Sequence, residues 1–553
     1  MKKAIFTLAI LASFNLYSQQ VQHHLTATPQ KQISENQLRS TSQTQSSADE
    51  VVIWHEDFEN GLLGSNISLD SSWSTSGADG DIWQKDTDGL SGNFNAGDIP
   101  LQSETADNGW MIFDCDASNT DYTLNNDGDT VSTAMNQVVQ ERSGQLTSPY
   151  IDLTNESNVT LSFQHAYRWC CYSSHEILVS VSNDDGVIWN DFIINGQAEV
   201  NQGVSTTTNI VLSDIAANED SVLIRFDWSG GEETASHYYW MIDDVKIVET
   251  PAYSSLLFES NFYAASYYFG ATSYTNIPLS QAASSIFFFN GTIENQGVND
   301  LENAQIYGYI ESENFYSQSE GSTIASQNRD TLYCIEDFIP EAEGQYDGSV
   351  YGLDTTNNIY TDTANHTLIV STFDYARDRA DFNTNYGRSW LNAEGDEQRG
   401  NTFDIYADGL LYAISAYFDE GTTPTATAKA ILNTRDTIPP YSINYLENTN
   451  SLIVGQNTDN WVNFVFDTPI SVQEGQVLVA TILAEYNGAD TVMLATSGIS
   501  SPGVSMLQDI TGEQGETGTW YYTPSTPLVR LNFDPNATAI RSYDENNFKV
   551  YPN

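Results

Sequence analysis

The stretch ILVSVSNDDGVIWND at residues 177–191 decides the fold. Its first half alternates apolar with small polar residues, the period-two pattern of a strand that buries one face. Asp185 and Gly186 separate it from a second apolar run, and an Asp-Gly pair closes hairpins because both positions must tolerate positive φ. The same alternation returns in SVLIRFDW from Ser221, HTLIVSTF from His366, WVNFVF from Trp461 and GQVLVATIL from Gly475, with Gly, Asn, Asp or Pro between the runs. Helical periodicity is nearly absent. The expectation is an all-β chain of tandem β-sandwiches.

Working outward, a chain of 553 residues is too long for one core, and punctuation divides it. Residues 1–18 read as a secretory signal peptide: Lys2 and Lys3 precede the apolar run from Ala4 to Ala12, and small Ser18 stands before Gln19. That run is too short to cross a hydrocarbon core of about 30 Å. Residues 19–50, rich in Gln, Ser and Thr, read as a flexible leader. A first sandwich is expected over 51–250, opened by VVIWHEDFEN and closed by YYWMIDDVKIVE. A second, immunoglobulin-like, spans 251–375, where ASSIFFFNGTIENQGVNDLENAQIYGYI holds two strands around an Asn-Gln-Gly turn. A third sandwich covers 376–536. In its run WVNFVF, Trp461, Asn463 and Val465 share one face and Val462, Phe464 and Phe466 the other, a pattern of sheet core rather than of a binding platform. Residues 537–547 form a linker, and 548–553, FKVYPN, begin something further.

Charge excludes one class of partner. Nineteen Lys and Arg stand against 74 Asp and Glu, a formal charge of −55, so the surface repels nucleic-acid backbones and anionic membranes. The excess carboxylate is solubilising surface or a supply of hard oxygen ligands. Four cysteines are too few for a disulfide-built scaffold. The most reasonable bridge joins Cys115 to Cys170 or Cys171, only one of which can face inward from a strand.

FKVYPN resembles the first strand of the C-terminal sorting domain of type IX secretion cargo from Bacteroidetes, which implies that the sequence stops at the edge of that domain. The order of EDFEN (56–60), NGW (108–110), LTSPYIDL (146–153), VSVSNDDGVIW (179–189) and YYWMIDDVKI (238–247) resembles the cleaved-adhesin, MAM-like jelly rolls also known as choice-of-anchor J domains. The second module is similar to CARDB-like immunoglobulin domains. The resemblance implies a secreted or outer-membrane surface adhesin, exported through the periplasm by the type IX machinery and contacting a surface glycan or protein. It also implies a structural Ca2+ held by acids of the opening and closing strands. Carried onto this sequence the ligands are Asp57, Glu59, Asp243 and Asp244, with Asp116 as a fifth. Asp57 and Glu59 would share a strand face, whereas adjacent Asp243 and Asp244 need a bulge, or a backbone oxygen, to serve one site.

No catalytic residue is assigned. His55 and His175 are each followed by Glu but lack the second His of a helical zinc hydrolase, and no G-x-S-x-G elbow or phosphate loop occurs. His165 and His175 flank Cys170 and Cys171, a pattern that imitates a zinc or thiol-protease site, but adjacent strand cysteines diverge. The acidic loops GADGDIWQKDTDG (77–89) and NNDGDT (125–130) read as ordinary Asp-Gly turns, since neither completes an EF-hand. The competing function is an accessory region of a secreted hydrolase, with Asp404, Asp408 and Glu420 as candidate acids of a glycosidase pair. A structural spacer is the third alternative; aromatics grouped on a surface would separate a binder from it.

Overall fold

The computed structural model describes residues 51–538 except 65–71, 93–100, 125–129, 136–141, 170–175, 196–202, 230–237, 379–386, 392–396, 486–489, 501–502, 511–517 and 524. The signal-peptide, leader and sorting-domain readings, and Cys170, Cys171 and His175, lie outside the described residues. Within them the protein is all-β, built as tandem β-sandwiches. No described helix is long and apolar enough to cross a membrane.

The first sandwich packs a six-stranded sheet on a five-stranded one. The deciding stretch behaves as its pattern dictates: Ile177–Ser182 is a strand whose Ile177, Val179 and Val181 enter the core. Asp185 and Gly186 take φ 60° and 78°, as the turn requires. The returning strand starts later than the alternation implies, at Asn190, so Val187 and Ile188 lie exposed in the loop. Between the sheets Phe226 meets Phe163 at 5.2 Å and Trp240 at 5.6 Å, both edge-on, the arrangement aromatic quadrupoles prefer. A smaller apolar cluster of Leu101, Trp110, Ile112, Ala166 and Met241 lies apart from this core.

The second sandwich packs a four-stranded sheet on a six-stranded one, and the third packs two seven-stranded sheets. Pairings are antiparallel except at Asn276–Pro278, which runs parallel to Ile359–Ser371. Phe289 of the smaller sheet in the second sandwich sets the pattern opposite it. A Cβ at Gly308 would meet its ring at 2.3 Å and one at Gly348 at 2.7 Å, so both must be glycine for the sheets to close. The apolar core continues without a break from Phe262 of the second sandwich to Phe533 of the third. In the third, Val462, Phe464 and Phe466 lie in this core. Trp461 and Asn463, on the reverse face, are buried too, so the strand offers no platform.

Candidate functional site

The opening strand Val52–Glu56 lies antiparallel beside the closing strand Tyr238–Glu249, with Glu56 opposite Val245. On its other side the closing strand pairs Asp243 with Gln164 but Lys246 with Ser162, so it carries one extra residue there. That is a bulge, and Asp244 takes φ 48° within it. The bulge removes the objection that neighbouring strand residues diverge, because both carboxylates reach the same loop. Thr105 donates its N–H to Asp244 Oδ2 at 3.0 Å, and its hydroxyl lies 3.0 Å from Asp244 Oδ1 and 3.3 Å from Asp243 Oδ2. The Ser103 hydroxyl also donates to Asp243 Oδ2. Asp243 is fully buried, and its Oδ1 has no hydrogen-bond partner among the described residues. Burial pushes its carboxyl up to about 7, assisted by the charge of Asp244. Burial raises Asp244 as well, against the hydrogen bonds from Thr105.

The remaining sequence-assigned acids sit differently. The opening strand ends at Glu56, and Phe58 adopts φ 52° to turn its ring into the core against Trp73, 5.0 Å away. Asp57 and Glu59 therefore share a turn, not a strand face: Asp57 Oδ1 accepts the Glu59 N–H at 3.1 Å. Asp57 still follows directly on the pair Glu56 and Val245, one residue beyond it on the Asp244 side. Glu59 is exposed, and its backbone carbonyl accepts from Lys85 Nζ at 2.5 Å. Asp116 lies elsewhere. Its neighbour Asp114 faces Tyr239, four residues before Asp243 and thus about 13 Å away along the strand. Asp116 is packed so tightly under Gly92 that a Cβ there would meet its Oδ2 at 2.3 Å. Sequence reasoning passed over Glu56, which is buried and accepts from Trp73 Nε1 at 3.0 Å and from the Phe58 N–H at 2.8 Å. Among the described residues no group of three or more His, Cys, Asp or Glu is placed to hold a metal ion.

The bridge expected of Cys115 is not formed. Its thiol is free and buried, and burial beside Asp114 pushes it well up, which suits an inert packing residue. His165 is a core residue: Trp240 Nε1 donates to its Nδ1 at 3.1 Å, Nε2 meets Thr208 Oγ1 at 2.8 Å, and burial depresses it to about 3. The imidazole is neutral. The stretch 77–89 is more than a turn: the 3-10 segment Gly80–Ile82 leads into the strand Trp83–Asp86, with Asp79 binding Arg142 at 2.9 Å before it and Asp86 Oδ1 accepting the N–H groups of Thr87 and Asp88 after it. Positions 125–129 of the other acidic loop lie outside the described residues.

The acids proposed for a glycosidase pair are also accounted for in part. Asp404 is fully buried between the second and third sandwiches. Its Oδ1 accepts Ser266 Oγ at 3.0 Å and the Tyr267 N–H at 2.8 Å. Oδ2 accepts Ser266 Oγ at 2.9 Å and Tyr274 Oη at 3.0 Å, with Arg377 Nη2 3.9 Å away. No substrate can reach a carboxylate so enclosed. Asp408 accepts the Glu474 N–H at 2.9 Å.

A surface feature escaped the sequence reading. On the outer face of the six-stranded sheet of the second sandwich, tyrosines from four neighbouring strands form a row: Tyr316, Tyr307, Tyr351 and Tyr360. Their centroids are separated by 5.9, 5.1 and 6.3 Å. Tyr309 flanks the row, opposite Tyr316 and 6.4 Å from Tyr351. The local signal was Tyr307-Gly308-Tyr309, two outward rings around the glycine that admits Phe289, but the partners on other strands needed the register.

No protein-family model matches the chain, and no curated protein matches it. Among solved structures it is similar to the K1 and K3 cleaved adhesin domains of Lys-gingipain from Porphyromonas gingivalis W83. The K1 match has 18% identity over 35% of this chain and 96% of that domain, at a TM-score of 0.21. The K3 match has 17% identity over 35% and 98%, also at 0.21. A β-glucuronidase of Bacteroides uniformis is similar at 9% identity over 55% of this chain and 32% of its own, with a TM-score of 0.25.

Proposed function

We propose that the chain is a non-catalytic, adhesin-like binding protein, secreted or held at the outer-membrane surface and exported through the periplasm by type IX machinery. The observation that carries the binding reading is the tyrosine row: its end rings, Tyr316 and Tyr360, remain more than half exposed, and a binder uses such rings as amphipathic contact area. The sequence resemblance of residues 51–250 to cleaved-adhesin jelly rolls supports the same reading. In this proposal Ca2+ braces the seam between the opening and closing strands. Asp243 and Asp244 would hold it, with Asp57 and neighbouring carbonyl oxygens, because an orphaned buried carboxylate oxygen beside a second carboxylate is the donor chemistry that hard cations take. The ion would fix the strand ends and take part in no reaction.

The test is retention of the purified full chain on a glycan array and on bacterial and polymer surfaces, with calcium present. Reproducible retention on one surface class is the expected outcome. Uniform absence of binding would remove the adhesive reading and leave the spacer.

A further inference from the structure

We infer that the tyrosine face of the second sandwich binds an extended, uncharged polysaccharide; the inference rests on the adhesive reading and names its ligand. The shape of the row follows from the strands beneath it. Neighbouring strands lie about 4.8 Å apart, and the rings of Tyr307 and Tyr351 are 10° from parallel, those of Tyr351 and Tyr360 26°. Near-parallel rings at such spacing stand side by side, so the interior of the row offers ring edges and hydroxyls. Its ends differ: Tyr316 and Tyr360 are 51% and 56% exposed, against 7% for Tyr307. The result is a strip with an apolar ring at each end and hydroxyls between.

The polar groups bonded to the ring hydroxyls of Tyr307 and Tyr316 are neutral. Tyr307 Oη donates to Gln305 Oε1 at 2.8 Å, and Tyr316 Oη lies 3.5 Å from Gln318 Oε1. Each phenol that gives its proton to a glutamine keeps an oxygen that can accept from a ligand hydroxyl. Burial raises the phenols of Tyr307, Tyr316 and Tyr351; the charges acting on them are those of neighbouring tyrosines and Cys334, with no carboxylate among them. That no carboxylate acts on these three rings stands out in a chain of net charge −55. The surrounding field turns away polyanions, and Tyr307, Tyr316 and Tyr351 have no fixed charge among them to hold a cation. An uncharged sugar polymer supplies what remains: hydroxyls for the phenols and C–H surfaces for the terminal rings.

The structural alternative is that the rings only stabilise the sheet as cross-strand pairs. The two readings part at the exposed ends, where a ring can be removed with little effect on the sheet. The experiment is affinity electrophoresis of the full chain through gels containing a neutral polysaccharide, hydroxyethylcellulose or dextran, or an anionic one, alginate. The wild type is expected to be retarded by a neutral polymer and not by alginate. Tyr316→Ala with Tyr360→Ala is expected to weaken that retardation roughly tenfold or more, the loss typical of truncated aromatic anchors, with the melting temperature held. Tyr351→Phe, which keeps the ring and removes a hydroxyl, should weaken it less. Retardation by neutral polymer that both variants leave unchanged would overturn this inference while the adhesive reading stands. Retardation by alginate alone would overturn the ligand class. A wild type that no polysaccharide retards overturns the inference as well, and the surface assay then decides the adhesive reading separately.

Discussion

Asp404, between the second and third sandwiches, and Asp243, in the first, are both completely buried, and burial raises the carboxyl of each. Their surroundings differ. Asp404 has donors on both oxygens and the guanidinium of Arg377 close by, itself bonded to Tyr274 Oη at 2.8 Å and lying over the Tyr274 ring at 4.1 Å. Asp243 has donors on one oxygen only and a second carboxylate as its neighbour. A buried charge persists when the protein supplies both counter-charge and hydrogen bonds, and otherwise it takes up a proton or a cation. One carboxylate thus fastens two sandwiches together, and the other sits in a pocket that favours its protonated form.

The largest effect expected from this contrast is at Asp404. Replacing it with Ala leaves Arg377 buried without its carboxylate and strips acceptors from Ser266 and Tyr274. Breaking a buried pair on one side costs about 3–5 kcal/mol, read by urea unfolding of the full chain. A loss below about 1 kcal/mol, the range of exposed pairs, would show that the junction is held by its apolar contacts alone.

Calcium should act on the other carboxylate. At pH 8, a free calcium concentration one hundred times the dissociation constant should stabilise the first sandwich by about 2.7 kcal/mol over the chelated protein. Asp243→Asn should remove most of that gain. Titration that gives neither heat nor a rise in melting temperature would end the proposal of a braced seam.

The pH dependence without calcium sharpens the same comparison. Asp243 is raised from 3.8 to about 7 in the folded state, so folding takes up a proton in that interval. The contribution of this group is full below pH 3.8 and is lost as pH rises through about 7. The whole shift corresponds to about 4 kcal/mol; the interval from pH 5 to pH 8 covers roughly half of it, which should be seen as a melting temperature higher at pH 5 than at pH 8. Asp243→Asn should flatten that difference. A chelated protein more stable at pH 8 than at pH 5 would contradict it.

What the sequence disclosed and what it hid divide along the same line. Alternation located the strands, the Asp185-Gly186 turn took its required geometry, and the adjacency of Asp243 and Asp244 raised a bulge as one of two ways for them to serve one site, and a bulge is found there. Each of these depends on residues next to one another. The strand-face reading of Asp57 and Glu59 failed because Phe58 leaves extended geometry to reach Trp73, a tertiary contact that outweighs local preference. The loop over Asp243 comes from about 140 residues earlier in the chain, and the groups enclosing Asp404 come from a different sandwich. Only Tyr307 and Tyr309 of the aromatic face are sequence neighbours. Register, invisible in composition, assembled the rest.

The smallest effect is the most discriminating about the acid pair. Thr105 has one hydroxyl proton and two carboxylates within reach, Asp244 Oδ1 at 3.0 Å and Asp243 Oδ2 at 3.3 Å, so it can satisfy only one at a time. Thr105→Val removes that donor while keeping shape and the backbone N–H to Asp244. The cost should be about 1 kcal/mol at pH 8, where Asp243 is mostly ionised. At pH 5 it should shrink, because protonated Asp243 is a donor itself and relieves the shortage the hydroxyl was meeting. A cost independent of pH would mean that Thr105 matters through packing, and that the two carboxylates do not share a proton-poor pocket.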